Sequence, residues 1–409
     1  MADLALIGET PAFDVARDIL GAEQSNWWEN LGISVAVTKD IAQVEEVWRQ
    51  LEKGGIQSPG QSIDFIKAWI KRFQIPLEDQ LYITGEARGK VVALLPLKRV
   101  RRAGLNILTW FAGYHVGCNA PLIDYGAFDR LSEKERNQVW RRMRRAMLGA
   151  DLVCLQSLPD IGRGKYFSGL GKSIDVEVLY RSEFESWEAC RTTQLTRSRR
   201  KHDKQQGAKL AAMGEVKFEE LVPGDSRADE ALATLFAQKA ARFAQWGIED
   251  PFADKNMRDL YRDMFHENKG LSGKLHVLSL DDEIVAVRYN LAHGDTVFSL
   301  ISSMSERMEL RPGSPGKQNI RRAMQAIFEA GYRVCDMGAG FSDEKRQWCN
   351  SVINLRTHYI PLSTRGALIA RAHRFKCRMR KFIKEREGLF NLVKSVRSIV
   401  RRKPGTSRA

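Results

Sequence analysis

The sequence contains no apolar run near the ~20 residues that would span a bilayer. Its six cysteines (Cys118, Cys154, Cys190, Cys335, Cys349 and Cys377) lie at least fourteen residues apart. That spacing excludes CxxC pairs and zinc-finger patterns. Several sit in apolar runs, as Cys154 does between Val153 and Leu155, which suits small buried hydrophobes in a reducing compartment. The seven histidines form neither HxxxH nor HxH, so no metal is expected. No GxSxG elbow is present, which argues against a serine hydrolase. The N-terminus lacks a basic start and a long apolar stretch, so it does not read as a secretory signal. The expectation is a cytoplasmic protein without a transmembrane helix.

The composition that remains is globular. Of 409 residues, 43% are hydrophobic and 28% charged. Those values exclude a wholly disordered chain, a collagen-like fibre and a coiled-coil rod, and the length suggests two or three domains. The net charge is +15, which at first points to a polyanion partner. Its distribution says otherwise. Residues 365–409 hold 15 Lys/Arg against Glu385 and Glu387, leaving only +2 on residues 1–364. Residues 191–209 carry seven basic residues and one acid, Asp203, so the rest of the body is slightly acidic.

Residues 1–32 read as a partly disordered leader broken by Pro11, Gly21 and Gly32. Alternation over 33–37 then predicts a strand, followed by helical spacing at Val44, Val47, Trp48 and Leu51 and over 62–73. Strands are predicted over 80–87, 91–100 and 105–111. Ser132 and Glu135 form a capping-box pattern that opens a helix to about residue 148, with strands near 152–156 and 174–180. The order then repeats: strand 215–221, helices 228–245 and 254–268, strands 274–280, 283–291 and 296–302, a helix 317–330, and strands 333–337 and 352–361. Both halves read β-α-α-β-β-β-α-β-(loop)-β, an internal repeat of a whole domain. The fold class is therefore α/β with mixed sheets, in two tandem domains over 33–185 and 214–364. A basic linker helix over 186–213 joins them, and a basic amphipathic tail follows over 365–409.

That order resembles the GNAT acyltransferase fold, whose strands splay apart so that a thioester cofactor binds in the gap. The strongest local chemistry is Arg311-Pro-Gly-Ser-Pro-Gly-Lys317, between a predicted strand and a predicted helix. A first helical turn has free N–H groups and partial positive charge, which suits a phosphate. Gly313 and Gly316 offer positive φ and close backbone approach. Ser314 adds a hydroxyl, and Arg311 and Lys317 add charge. The corresponding place in the first half, residues 113–121, has no such pattern. The second half is therefore expected to hold the cofactor, with the first structural or assisting the acceptor.

Three stretches carry a closer resemblance over about residues 187–332: the basic segment 197–201, the Lys239-Ala-Ala-Arg242 helix and the 311–316 turn. It extends to the string ending in Asp336-Met-Gly338. They resemble the BioF2-like acyltransferase domain of the CelD/BcsL type, associated with cellulose or exopolysaccharide biosynthesis. The tandem arrangement is also similar to FemAB-type transferases, which move aminoacyl groups from tRNA. The resemblance implies acetyl-CoA or another acyl-CoA as co-substrate, no metal, and a sugar, glycan-precursor or amino-group acceptor. Transfer from aminoacyl-tRNA is the alternative, although no inserted helical arm of the FemAB kind is read between residues 215 and 361. A non-catalytic scaffold in a polysaccharide-synthesis complex is a further one.

Acyl transfer needs help for the acceptor and donors for the oxyanion. Asp336, ending a predicted central strand, is a candidate base or orienting group. Lys345 is a candidate contact to a carboxylate, phosphate or sugar. Arg288 lies in a strand predicted to be buried, so it must face water or an anion. Arg242 is a candidate acceptor contact. His276 alternates with apolar neighbours and reads more readily as a core histidine than as a base, and Tyr289 reads as core. The basic tail suits an anionic membrane surface at the inner face or an acidic protein partner.

Overall fold

The computed structural model describes residues 32–267 and 270–384. The expected leader lies outside the described residues up to residue 31, as does the tail beyond residue 384. In the first half, strand β1 (Ile33–Thr38) precedes helices α1 (Glu45–Glu52) and α2 (Ile63–Phe73). Strands β2 (Gln80–Ala87), β3 (Lys90–Arg102), β4 (Leu105–Thr109) and the short β5 (Leu122–Ile123) follow. Helices α3 (Tyr125–Asp129) and α4 (Glu133–Arg145) lead to β6 (Leu152–Pro159) and β7 (Lys172–Glu183). The capping box forms as the sequence predicts: Ser132 Oγ accepts from Glu135 N at 3.2 Å, and Glu135 accepts from Ser132 N at 2.7 Å.

The basic linker is two helices, α5 (Trp187–Gln194) and α6 (Arg197–Ala211). The single helix expected there breaks at Leu195, which is extended, and Thr196 then caps α6 by accepting from Arg199 N. The second half comprises β8 (Val216–Leu221), α7 (Ala228–Trp246), α8 (Lys255–His266), β9 (Ser272–Leu280), β10 (Glu283–His293) and β11 (Thr296–Met304). A 3₁₀ turn over Met308–Gly313 opens α9 (Pro315–Glu329), followed by β12 (Val334–Ala339), α10 (Asp343–Trp348), β13 (Ser351–Pro361) and α11 (Thr364–Lys384).

The two halves do not close on themselves. The described strands join one 13-stranded sheet in the order β1-β2-β3-β4-β6-β13-β7-β12-β11-β10-β9-β8, with β5 paired to β3. The last strand of each half has crossed over: β13 pairs with β6 and β7 pairs with β12, all antiparallel, and β13 and β7 pair with each other. Such an exchange leaves each half incomplete without the other. The helices fuse the halves as well. Trp48, Phe65 and Trp69 from α1 and α2 share one core with Phe236, Leu260 and Phe265 from α7 and α8. At the edge of that core Arg72 makes a two-pronged bond to Asp263, at 2.5 and 2.6 Å.

Among the described residues no helix is long and apolar enough to cross a membrane. His276 and Tyr289 take the core positions expected of them. His276 is fully buried between Glu220 (2.9 Å) and Asn290 (3.1 Å), and burial lowers its pKa. The Tyr289 hydroxyl donates to the Tyr261 carbonyl at 2.8 Å.

Candidate active site

The site begins where the sheet comes apart. Strands β11 and β12 pair in parallel only over Thr296–Phe298 against Val334–Asp336, and then diverge. Just past that point the register between β10 and β11 shifts: Tyr289 lies opposite Ile301 and Asn290 opposite Ser299. Leu300 is therefore the extra residue of a β-bulge, a device that bends a strand and takes one residue out of the ladder.

A cavity of about 170 Å³ opens at this split. Ser299–Ser302 of β11 and Met337 of β12 line its walls, with Arg288 from β10, Lys239 from α7, and Glu344 and Lys345 from α10. Three cations thus meet one carboxylate. Arg288 is only 7% exposed. It donates to Glu344 Oε1 at 2.6 Å, while its buried Nε has no partner among the described residues. An orphaned buried N–H is costly unless a ligand satisfies it. Lys345 Nζ donates to the Ala339 carbonyl at 2.5 Å and the Gly338 carbonyl at 3.3 Å. An ammonium has three N–H donors, so one remains for the cavity that Lys345 lines. Burial lowers the pKa of both Lys345 and Lys239.

The position of α10 has a local cause. Ser342 accepts from Lys345 N at 3.2 Å and fixes the helix start, which sets Glu344 and Lys345 in the first turn.

Asp336 sits behind the cavity rather than in its wall. It is 4% exposed. Its Oδ2 accepts from Arg181 Nε at 2.8 Å and its Oδ1 from Gly338 N at 2.7 Å. Burial raises its pKa, and the Arg181 guanidinium works against that rise. Arg181 comes from β7, the exchanged strand, and also donates to the Gln57 carbonyl and side-chain oxygen, each at 3.0 Å. With both oxygens engaged, Asp336 joins the two halves directly beneath the split.

At the other end lies the Pro-Gly turn. Its left-handed residue is Ser314 (φ 47°); neither Gly313 nor Gly316 has positive φ, contrary to the sequence expectation. The glycines serve packing instead. A Cβ on Gly313 would meet Leu210 of α6 at 2.8 Å, and one on Gly316 would meet Met304 Sδ at 3.0 Å. The Ser314 hydroxyl accepts from Gln206 Nε2 of α6 at 2.7 Å. Arg311 and Lys317 are exposed, and the first turn of α9 holds no acidic residue. The residues present therefore fit a bound pyrophosphate through two exposed cations and a helix N-terminus.

Of the sequence candidates, Arg288 and Lys345 line one cavity with Asp336 behind it, while Arg311, Gly313, Ser314, Gly316 and Lys317 form the turn. Arg242 does not line the cavity: it faces Glu306 at 3.8 Å and stacks on Trp246 at 4.6 Å. Lys239, one turn earlier, takes the place expected of it. Sequence reasoning also missed Arg181, Glu344 and Leu300. A neighbour across exchanged strands leaves no local signal, and a bulge leaves none in hydropathy.

In the first half two side chains bridge the equivalent split. There β4 and β6 pair in parallel over two residues, Ile107–Leu108 with Leu152–Val153. Past them, Thr109 Oγ1 bonds the Cys154 carbonyl and Trp110 Nε1 the Gln156 carbonyl, each at 3.0 Å.

Residues 197–346 match the acetyltransferase (GNAT) domain family. That match spans 150 of the 409 residues and makes the second half similar to such a domain. The matched segment runs from Arg197 of α6 through the split strands and the turn to Arg346 of α10. No curated protein matches the chain. Among solved structures it is similar to FemX, with 10% identity over 76% of this chain and 95% of that one and a TM-score of 0.53. A conserved protein of unknown function from Bacteroides thetaiotaomicron also has 10% identity, over 79% of this chain and 99% of that one, with a TM-score of 0.50. A tandem GNAT protein from the clavulanic acid biosynthesis pathway has 10% identity over 80% and 98%, with a TM-score of 0.42. At such identities the first two likenesses show the fold alone.

Proposed function

We propose that the protein is an acyl-CoA-dependent acyltransferase of the BioF2-like type, with its single working site in the GNAT domain. The observation that carries this reading is the open split between β11 and β12, with a cationic cavity at one end and the turn of α9 at the other. Acyl-CoA supplies the activated thioester when bound. Arg311, Lys317 and the first turn of α9 hold its pyrophosphate, and the split takes the arm that reaches the cavity. The bulge at Leu300 offers a backbone N–H and Lys345 its remaining donor to the carbonyl oxygen as charge builds there. The acceptor amine or hydroxyl would attack the thioester carbonyl directly, without an acylated enzyme. The acyl C–S bond breaks and coenzyme A leaves as its thiol, taking up the proton the acceptor loses. Arg288 and Lys239 outnumber Glu344 and favour an anionic acceptor, such as a sugar phosphate, sugar nucleotide or glycan precursor, in keeping with a role in exopolysaccharide synthesis. The bridged first-half split leaves that half a supporting role through Arg181 and Gln57.

A second reading, transfer from aminoacyl-tRNA, draws on the FemX likeness. It predicts tRNA binding that weakens steeply with salt.

The test is a calorimetric titration of acetyl-CoA and longer acyl-CoAs into the full chain and its Lys317→Glu and Arg311→Glu variants. Each reversal should weaken binding by about tenfold, since a charge-assisted phosphate contact is worth roughly 1.5–3 kcal/mol when buried and less when exposed. Unchanged affinity in both variants removes the turn from the site. Gly313→Asp is a poor substitute, because it would drive a side chain into Leu210.

A further inference from the structure

Helix α11 is docked by one face and open on the other. Its start is pinned: Ser363 Oγ donates to Asp151 Oδ1 at 2.7 Å, and the backbone at Gly366 approaches the Asp151 carbonyl too closely for any Cβ. Ala370 is buried, and His373 meets the Tyr359 hydroxyl at 2.6 Å. Gly366, Ala370, His373 and Cys377 recur at i, i+4, i+7 and i+11, so they form one stripe of a helix with 3.6 residues per turn. That stripe is small and half-polar, an unusual choice for a docked face.

The large apolar side chains point the other way. Leu368, Ala372, Phe375 and Met379 recur with the same spacing on the opposite side. Leu368 is 69% and Phe375 67% exposed. Arg365 and Lys376 flank this stripe on one side, and Arg371 and Arg378 on the other, all exposed. Residues 364–384 contain eight Lys/Arg and no acid.

We propose that this outer face of α11 seats the protein on an anionic lipid surface. An apolar ridge between two basic rows fits such a surface: the ridge enters the acyl boundary while the long basic stems reach the headgroups. The docked face holds the helix axis in place, so binding would set one fixed orientation of the sheet to the membrane. Charge selects the lipid. With no acid in the helix and a net +13 over residues 365–409, neutral bilayers offer no matching partner.

The test is co-sedimentation of the full chain with vesicles of equal parts phosphatidylglycerol and phosphatidylcholine, against vesicles of phosphatidylcholine alone. Binding should require the anionic lipid and fall at least about tenfold in Leu368→Glu/Phe375→Glu, whose thermal transition checks its folding. Because that variant changes two positions at once, Phe375→Trp provides a second readout. The difference spectrum between it and the parent chain, which has nine tryptophans of its own, isolates the introduced indole and should shift to the blue on anionic vesicles. Failure of the parent chain to bind anionic vesicles overturns the proposal. So does equal binding by the folded double variant, or an unshifted signal from the introduced indole. Capture of tRNA through this face, with no vesicle binding, also overturns it. None of these results depends on acyl-CoA binding.

Discussion

Replacing Asp336 with alanine should destabilise the folded chain by about 3–5 kcal/mol, the cost of leaving a buried charge without its partner. The Arg181 and Asp336 side chains are 11% and 6% exposed, so water cannot take over from either. Asp336→Ala strands the guanidinium, and Gly338 N loses its acceptor at the same time. The pair lies across β7 and β12, the exchanged junction, so the loss should appear in the main unfolding transition rather than as local fraying. Urea denaturation followed by circular dichroism measures it. The double variant Arg181→Met/Asp336→Leu should recover part of the loss, since an apolar pair of similar volume often replaces a buried ion pair at little cost. Recovery should be incomplete because the Gln57 carbonyl also loses its donor. An Asp336→Ala chain as stable as the parent would mean that the pair does not hold the halves together.

Lys345→Met should lower kcat/KM by about 10²–10³, the range for removing one oxyanion donor, while leaving acyl-CoA affinity nearly unchanged. The ammonium is held by two carbonyls at the end of β12, so its position is fixed before substrate arrives. Free-thiol release from acyl-CoA measures turnover across a panel of sugar phosphates, sugar nucleotides and amino metabolites. Lys345→Arg should retain part of the rate, because it keeps a charged donor. A drop confined to KM would assign Lys345 to acceptor binding instead. Unchanged kinetics in Lys345→Met would exclude it from the site.

Much of the fold was legible in the sequence because its signals are local. The capping box at Ser132 and Glu135, the alternation in β8, and the Pro-Gly turn before α9 each announce an element within a few residues. The repeated order then points to two similar halves. The exchange of β7 and β13 left no such trace. Swapping equivalent strands between similar halves keeps every apolar pattern and changes only the partner.

The site divides along the same line. Arg288 was legible because an arginine in an apolar strand demands a partner, and Glu344 supplies it. Arg181 was not, because its partner Asp336 lies 155 residues away across the exchange. Arg242 and Lys239 sit one helical turn apart, and only the packed direction of α7 decides which faces the cavity. The Pro-Gly turn was legible as a turn, but its glycines were read for a mistaken reason. Its glycines matter for contact with Leu210 and Met304, and Ser314 supplies the left-handed turn.

The central claim is that the split between β11 and β12 binds an acyl-CoA. Thermal unfolding of the full chain with and without acetyl-CoA and longer acyl-CoAs tests it most directly. At a hundred times its dissociation constant, a ligand that binds only the folded state adds about 2.7 kcal/mol, enough to raise Tm by several degrees in a chain of this size. The account predicts that rise with at least one acyl-CoA, and its reduction in Lys317→Glu. No rise with any acyl-CoA, together with stabilisation by aminoacyl-tRNA, would contradict it.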